Sequence, residues 1–318
     1  MYNIGIDLGG THIAVGITDE NGTLIIKDSI PTALPRVADE IINDIAELAK
    51  LLLSQAEISM DNVNWVGIGC PGTANIETGI LEYANNLFFK NVPIKAMIEQ
   101  HLSKICYIEN DANAAAYGEF IAGAAIGSSS AVVITLGTGV GGGIIIDKKI
   151  FRGSNFAGAE LGHMVIELDG IECNCGRKGC FETYSSATGL IYMTKQVMVE
   201  NNESTMWSLC EEDIAKVSGK TAFLAARAGD IAGKLVVDKY IRYLGIGLVN
   251  IINIFQPDVL CVGGGVSKEG DYLIKPLEAI IEKERYSKYS VKQTKLCTAE
   301  LGNDAGIIGA AMLGLLYN

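Results

Sequence analysis

Between Glu160 and Glu182 the chain places His163, Cys173, Cys175 and Cys180, within GAELGH and CNCGRKGCFET. Thiolate sulfur and imidazole nitrogen are the donors a zinc ion prefers, four of them in a tetrahedron. Three come from C-x-C-x4-C, folded back by the turn Gly-Arg-Lys-Gly, and His163, ten residues before Cys173, is the obvious fourth. A Cys173–Cys175 disulfide would close a very small, strained ring. A site filled by four protein ligands has no open coordination position, so the cluster reads as a structural zinc site and not as a source of hydroxide. Taken singly, Glu160 and Glu182 are ordinary surface glutamates. A loop closed on a metal would bring them together as acceptors for the hydroxyls of a sugar.

Two glycine-rich turns follow a different chemistry. DLGGT at 7–11 and LGTGVGGG at 136–143 lack Cβ atoms where backbone N–H groups must approach an anion, and Thr11 and Thr138 add neutral donors. Either turn alone is equally an ordinary hairpin. Occurring twice at equivalent places, they suit a polyphosphate held by Gly9, Gly10 and Thr11 on one side and Gly137 and Thr138 on the other. Neither matches G-x-x-x-x-G-K-[ST] or a dinucleotide fingerprint. Asp7, at the end of the first strand, either caps the turn or holds a magnesium ion. GGGVS at 263–267 follows the apolar strand DVLCV, so Gly264 and Gly265 either make a plain strand-to-helix turn or open a crevice for a nucleotide base and ribose. In IENDANAAA, Asn110 and Asp111 stand where a strand gives way to a helix. Asp111 is either an N-cap or a base that takes the proton of a hydroxyl attacking a γ-phosphoryl group.

The elements that must position these groups are legible from periodicity. Residues 2–30 alternate as strand, turn, strand, turn, strand, and helix-spaced apolar residues follow over 35–56, for an order βββαβαβα. IGIDLGGTHIAVGITD at 4–19 aligns with VVITLGTGVGGGIIID at 132–147, which predicts an internally duplicated α/β fold. The second half continues through the cysteine loop, helices from about 182 to 255, the strand DVLCVG, a helix near 271–285, a strand and a last small-residue helix. No Pro- or Ser-rich tether parts the halves. The expected domains are a small one, 1–115 plus 304–318, and a large one, 116–303, carrying the zinc loop 158–181.

At 318 residues the chain can build two cores. Its 25 basic and 37 acidic residues, net charge −12, disfavour nucleic acid and anionic membranes as partners. The start MYNIGIDLGG has no signal-peptide pattern, and LGIGLVNIINIF at 244–255 is too short for a membrane span, so a buried helix in a cytoplasmic protein is expected. Cys70, Cys106, Cys210, Cys261 and Cys297 stand singly and are expected as packing residues.

DLGGTHIAVGITD, LGTGVGGGIIID, END and above all GAELGH with CNCGRKGCFETYSS resemble the ROK family of bacterial sugar kinases and related repressors. The resemblance covers essentially the whole chain. It implies the two-domain, duplicated actin-like ATPase (ribonuclease H-like) fold, with ATP and magnesium between the domains and a hexose in the cleft. It implies Asp111 as catalytic base; Gly72, Asn86, Asn110, Glu160, His163 and Glu182 as sugar-site residues; Asp7, Gly9, Gly10, Thr11, Gly137 and Thr138 as phosphate and magnesium groups; and Gly264 and Gly265 as the adenosine wall. The zinc ligands it implies are His163, Cys173, Cys175 and Cys180. His12 departs from the lysine the family often carries there. Family repressors have a DNA-binding region ahead of the first strand, which this sequence has no room for. The implied activity is that of an ATP-dependent glucokinase, as a homodimer or homotetramer. Kinases for N-acetylmannosamine, N-acetylglucosamine, allose or fructose are the alternatives, as is a non-catalytic sugar sensor.

Overall fold

A computed structural model describes residues 1–317. The chain opens with the expected antiparallel meander, β1 (Tyr2–Leu8), β2 (His12–Asp19) and β3 (Leu24–Pro31). Strand alternation turns Ile4, Ile6 and Leu8 to the same face as their partners Ile17, Val15 and Ile13. That face is buried against α1 (Ala38–Gln55), whose Ile41, Ile45, Leu48 and Leu52 recur at helical spacing. Full burial of each such side chain is worth about 1.5–3 kcal/mol. α1 begins after Pro35, carries Asp39 and Glu40 in its first turn, and ends before Glu57, which takes a left-handed conformation.

Next come β4 (Val63–Cys70), β5 (Thr73–Asn75), β6 (Ile80–Ala84), β7 (Phe89–Val92), α2 (Ile94–Leu102), β8 (Cys106–Asn110) and α3 (Asp111–Ala122). The first sheet is ordered β3-β2-β1-β4-β8, with β1, β4 and β8 parallel. β5, β6 and β7 form a separate antiparallel sheet that the order βββαβαβα did not include. Its strands are three to five residues long, too short to show a period.

β9 (Ala131–Leu136), β10 (Val140–Ile146) and β11 (Lys149–Ile150) precede the cysteine loop. The helices α4 (Phe181–Ser185), α5 (Ala187–Glu200), α6 (Met206–Leu209), α7 (Thr221–Arg227) and α8 (Ile231–Phe255) follow. Then come β12 (Val259–Gly264), α9 (Asp271–Glu284), β13 (Lys295–Thr298) and α10 (Ala305–Ala311). The second sheet is ordered β11-β10-β9-β12-β13, which repeats the first strand for strand. The duplication expected from the two aligned hairpins is thus carried through both sheets.

The chain divides into two compact units. One comprises Met1–Val133, Gly143–Ala159 and the segment from Glu300; the other comprises Ile134–Gly142 and Glu160–Ala299. Residues 116–133 and 143–159, drawn on sequence with the large domain, fall in the first unit. In that unit α10 lies directly on the sheet, because a Cβ on Gly5 or Gly67 would sit 2.0 or 1.8 Å from a carbonyl oxygen of α10. In the second unit the buried helix expected at 244–255 is the latter half of α8, whose charged residues lie mostly in its first half. Among the described residues no helix is long and apolar enough to cross a membrane. Cys70, Cys106, Cys210 and Cys261 are buried and Cys297 partly so, consistent with packing roles.

Candidate functional site

In the first unit the carboxyl ends of β1, β4 and β8 lie side by side, with Asp7 in register with Gly69 and Gly69 with Glu109. A Cβ on Gly69 would approach the Asp111 Cα to 3.4 Å and the Ala114 Cβ to 3.2 Å, so glycine there allows the start of α3 to come down on the strands. Asp111 is the first residue of α3, and the N-cap is Asn110, whose Oδ1 accepts from the Asn113 N–H at 3.1 Å. The capping role open to Asp111 on sequence therefore belongs to its neighbour. Asp111 Oδ1 accepts from the Ala112 N–H at 2.8 Å and from Asn110 Nδ2 at 3.0 Å. Burial pushes the Asp111 carboxyl up, and these bonds partly offset it. Burial, then the Asp111 charge, lifts Asp7 to about 6. Two neighbouring carboxylates of this kind suit a divalent cation, and Asp7 could hold one.

Asn110 Nδ2 also donates to the Gly72 carbonyl at 3.2 Å. Gly72 has φ 86°, and a Cβ on it would lie 2.0 Å from the Tyr83 carbonyl oxygen. Asn86 lies in a short 3-10 turn between β6 and β7. A Cβ on Gly10 would meet the Asn86 Cβ and carbonyl oxygen at 3.3 Å, so the glycine turn and the Asn86 turn are packed together. The Gly9–Thr11 hairpin is clamped from outside by Thr32, which sequence reasoning missed. Thr32 Oγ1 donates to the Gly9 carbonyl at 2.7 Å, and its N–H donates to the Thr11 carbonyl at 2.9 Å. His12 is exposed and borders a cavity of about 500 Å³ with Asp7, Gly9, Lys27 and Asp304, and Lys27 pairs with Asp304. Asp7, Gly72, Asn86, Asn110 and Asp111 thus gather in one unit, at the strand ends where α/β sheets carry their ligands.

In the second unit the Gly137–Thr138 turn is held by the Ala187 N–H, which donates to the Gly137 carbonyl at 2.9 Å. Nothing lies within 4 Å of a Cβ placed on Gly137, so that side of the turn is open, while its N–H donates to the Gly139 carbonyl at 3.0 Å. Glu182 Oε2 accepts from the Val140 N–H at 3.0 Å, which ties this glutamate to the turn. Thr138, Gly139, Glu182, Asn174, Ser186 and Tyr192 line a cavity of about 310 Å³. At β12 the two glycines differ. A Cβ on Gly264 would lie 2.4 Å from the Leu136 carbonyl oxygen, so strand packing alone demands glycine there, whereas Gly265 faces open space.

His163, Cys173, Cys175 and Cys180 converge, with their ligand atoms all within 4.8 Å of one another. Cys173 Sγ is 3.6 Å from His163 Nδ1, and Cys175 Sγ is 3.6 Å from Cys180 Sγ. A tetrahedral zinc with bonds near 2.3 Å sets its ligands roughly 3.8 Å apart, so the cluster fits that ion. Without a cation, burial pushes the Cys180 thiol up to about 12. His163 turns Nδ1 to the sulfurs and Nε2 toward Glu160, 4.0 Å from its Oε2. Just past the cluster, Phe181 is fully buried, and a Cβ on Gly247 of α8 would lie 2.2 Å from its ring. Tyr240 of α8 donates to the Ser185 carbonyl at 2.7 Å. These contacts fix α4, and with it Glu182. Neither Phe181 nor Tyr240 carries a sequence signal beyond being aromatic.

A model of the ROK family matches residues 3–315. A glucokinase of Halalkalibacterium halodurans is 36% identical over 98% of this chain and 94% of its own length. A glucokinase of Thermotoga maritima is 35% identical over 98% of this chain and 96% of its own. Among solved structures, a ROK family glucokinase from Streptomyces griseus in complex with glucose and AMPPNP aligns with a TM-score of 0.81 at 34% identity. That alignment covers 98% of this chain and 99% of the other.

Proposed function

The chain belongs to the ROK family, with its actin-like ATPase fold, and from that premise we propose that it is an ATP-dependent sugar kinase that converts glucose to glucose 6-phosphate. The observation that carries the mechanism is the Asp111 carboxylate at the β8–α3 junction. Its two hydrogen bonds both fall on Oδ1, which leaves Oδ2 to take a proton. Asp111 accepts the proton of the sugar 6-hydroxyl as that oxygen bonds to the γ-phosphorus, the bond to the bridging oxygen breaks, and ADP leaves. Its raised pKa suits a base that must hold the proton once it has arrived.

The Gly10 N–H, with the Thr11 and Thr138 hydroxyls, receives the charge that develops on the phosphoryl oxygens, in turns that Gly9 and Gly137 close by donating their own N–H groups to the His12 and Gly139 carbonyls. Asp7 would hold magnesium, which would supply charge neutralisation to the triphosphate. Gly265 offers a bare backbone surface to the adenosine, and Gly264 lets the strand beside it pass close to Leu136. Gly72, Asn86 and Asn110 of the first unit, and Glu160, His163 and Glu182 of the second, address the sugar. We assign the histidine and three cysteines to structural zinc: four ligands leave no open position, and His163 Nε2 is left for a sugar hydroxyl. We place the protein in the cytoplasm, where thiols stay reduced, as a homodimer or homotetramer.

The experiment is sugar-dependent ADP formation measured over glucose, N-acetylmannosamine, N-acetylglucosamine, allose and fructose. Glucose is expected to have the highest kcat/KM. A different leading hexose would reassign the substrate, and no sugar-dependent ADP at all would make the protein a non-catalytic sensor.

A further inference from the structure

A buried ion pair stands directly behind Asn110 and Asp111. Glu109 is 2% exposed, and its Oε2 accepts from Arg152 Nε at 2.5 Å. Its Oε1 accepts from the Asn110 backbone N–H at 3.0 Å and from Asn113 Nδ2 at 3.1 Å. Arg152 lies just after β11, and its Nη1 donates to the Ile150 carbonyl at 3.4 Å. Its own carbonyl accepts from the Gly158 N–H at 2.8 Å, which closes the segment from which the chain runs on to Glu160.

Stability alone is a poor reason for this arrangement. Apolar side chains of similar volume often replace a buried ion pair without loss. Arg152 Nη2, moreover, is buried with no hydrogen-bond partner, a cost that a purely structural cation would not carry. The placement is informative instead. Asn110 is held at every polar atom the site uses: its N–H by Glu109, its Oδ1 by the Asn113 N–H, and its Nδ2 by the Gly72 carbonyl and Asp111 Oδ1. Asp111 takes its orientation from Asn110, Asn110 from Glu109, and Glu109 from Arg152.

We infer that Glu109 and Arg152 are positioning residues for phosphoryl transfer, holding Asn110 and through it Asp111 at the angle the sugar hydroxyl requires. The inference rests on the reading of Asp111 as the base. Neither residue touches substrate. Arg152 also keeps the Glu109 charge from standing unpaired beside the carboxylates of the site.

The test compares Arg152→Met, Glu109→Gln and the double variant, with kcat expressed per folded molecule from circular dichroism and a thermal melt. Arg152→Met is expected to lose about 10²-fold in kcat, the scale of a small misplacement at a reacting centre, with a raised KM for glucose and an unchanged KM for ATP. The double variant removes the unpaired charge yet keeps an acceptor for the Asn110 N–H, so it should recover about tenfold of that loss. An Arg152→Met protein that melts lower but turns over at the wild-type rate would overturn the inference, as would a double variant no faster than Arg152→Met. Should Arg152→Met not fold, Arg152→Lys replaces it; an intermediate kcat supports the inference and a wild-type kcat overturns it. Asp111→Asn, assayed alongside, separates the two claims. If it stays active, the base assignment fails; if it is inactive while Arg152→Met is fully active, only the positioning role fails.

Discussion

Replacing Asp7 by Asn should stabilise the protein in the absence of magnesium and nucleotide while abolishing its turnover. Burial, and secondarily the Asp111 charge, raises the Asp7 carboxyl from its ordinary 3.8 to about 6. The folded chain therefore binds this proton more tightly than the unfolded chain does. The stability that the protonated group contributes is complete below 3.8, is lost as pH rises toward 6, and is gone at neutrality. At about 1.36 kcal/mol per pH unit, the interval corresponds to at most about 3 kcal/mol. Asparagine keeps the shape without the charge but must still be desolvated, so about 1–3 kcal/mol should be recovered at neutral pH. The measurement is denaturant unfolding of both proteins in chelator across the acid to neutral range. The curves should converge at the acid end and separate toward neutrality, with the variant the more stable. Magnesium and ATP together should then raise the stability of the wild type alone. A variant equally or less stable at neutral pH, or a difference that does not change with pH, would refute the account of Asp7 as a partly buried carboxylate whose charge destabilises the fold.

Asp111→Asn should lower kcat by about 10²–10⁴-fold with glucose affinity nearly intact, because the amide keeps the hydrogen-bonding shape but cannot take the proton; stopped turnover combined with normal glucose binding by calorimetry is the expected pair of results. Elemental analysis should find one zinc per chain. Chelation should lower the melting temperature and the activity together and expose thiols to a thiol reagent, and full activity in a metal-free protein would contradict the structural role. Phe181→Ala removes a fully buried ring packed on Gly247. It should cost about 3–5 kcal/mol of stability. Because Phe181 fixes the start of α4, the glucose KM should rise along with that loss, measured by steady-state kinetics below the new melting point.

Much of the framework could be read from residue order alone. The meander of 2–30 alternates cleanly because one face of it is buried, and the 4–19 repeat at 132–147 announced two sheets of the same strand order. The short sheet β5-β6-β7 could not be read, since three to five residues show no period. The segments 116–133 and 143–159 were assigned by their position in the chain, whereas the division into units follows contacts made by residues far away in sequence.

The site divides in the same way. The histidine and cysteine cluster was legible because its four residues lie within one stretch of 18 residues, 163–180, and thiolate chemistry is specific. Asp111 was legible as one of two readings. The tertiary structure removed the capping reading, by giving the N-cap to Asn110. Gly264 and Gly265 look alike as letters, yet one is required by the passage of Leu136 and the other faces open space. Thr32 and Arg152 gave no signal, and Glu109 none beyond its place at the head of END, because what matters about them is which distant group each one touches: a hairpin 23 residues away for Thr32 and a partner 43 residues away for Glu109. Residue type and spacing determined which chemistry this chain can perform. The folded chain decided which atoms are held still enough to perform it, because orientation comes from contacts that no local pattern records.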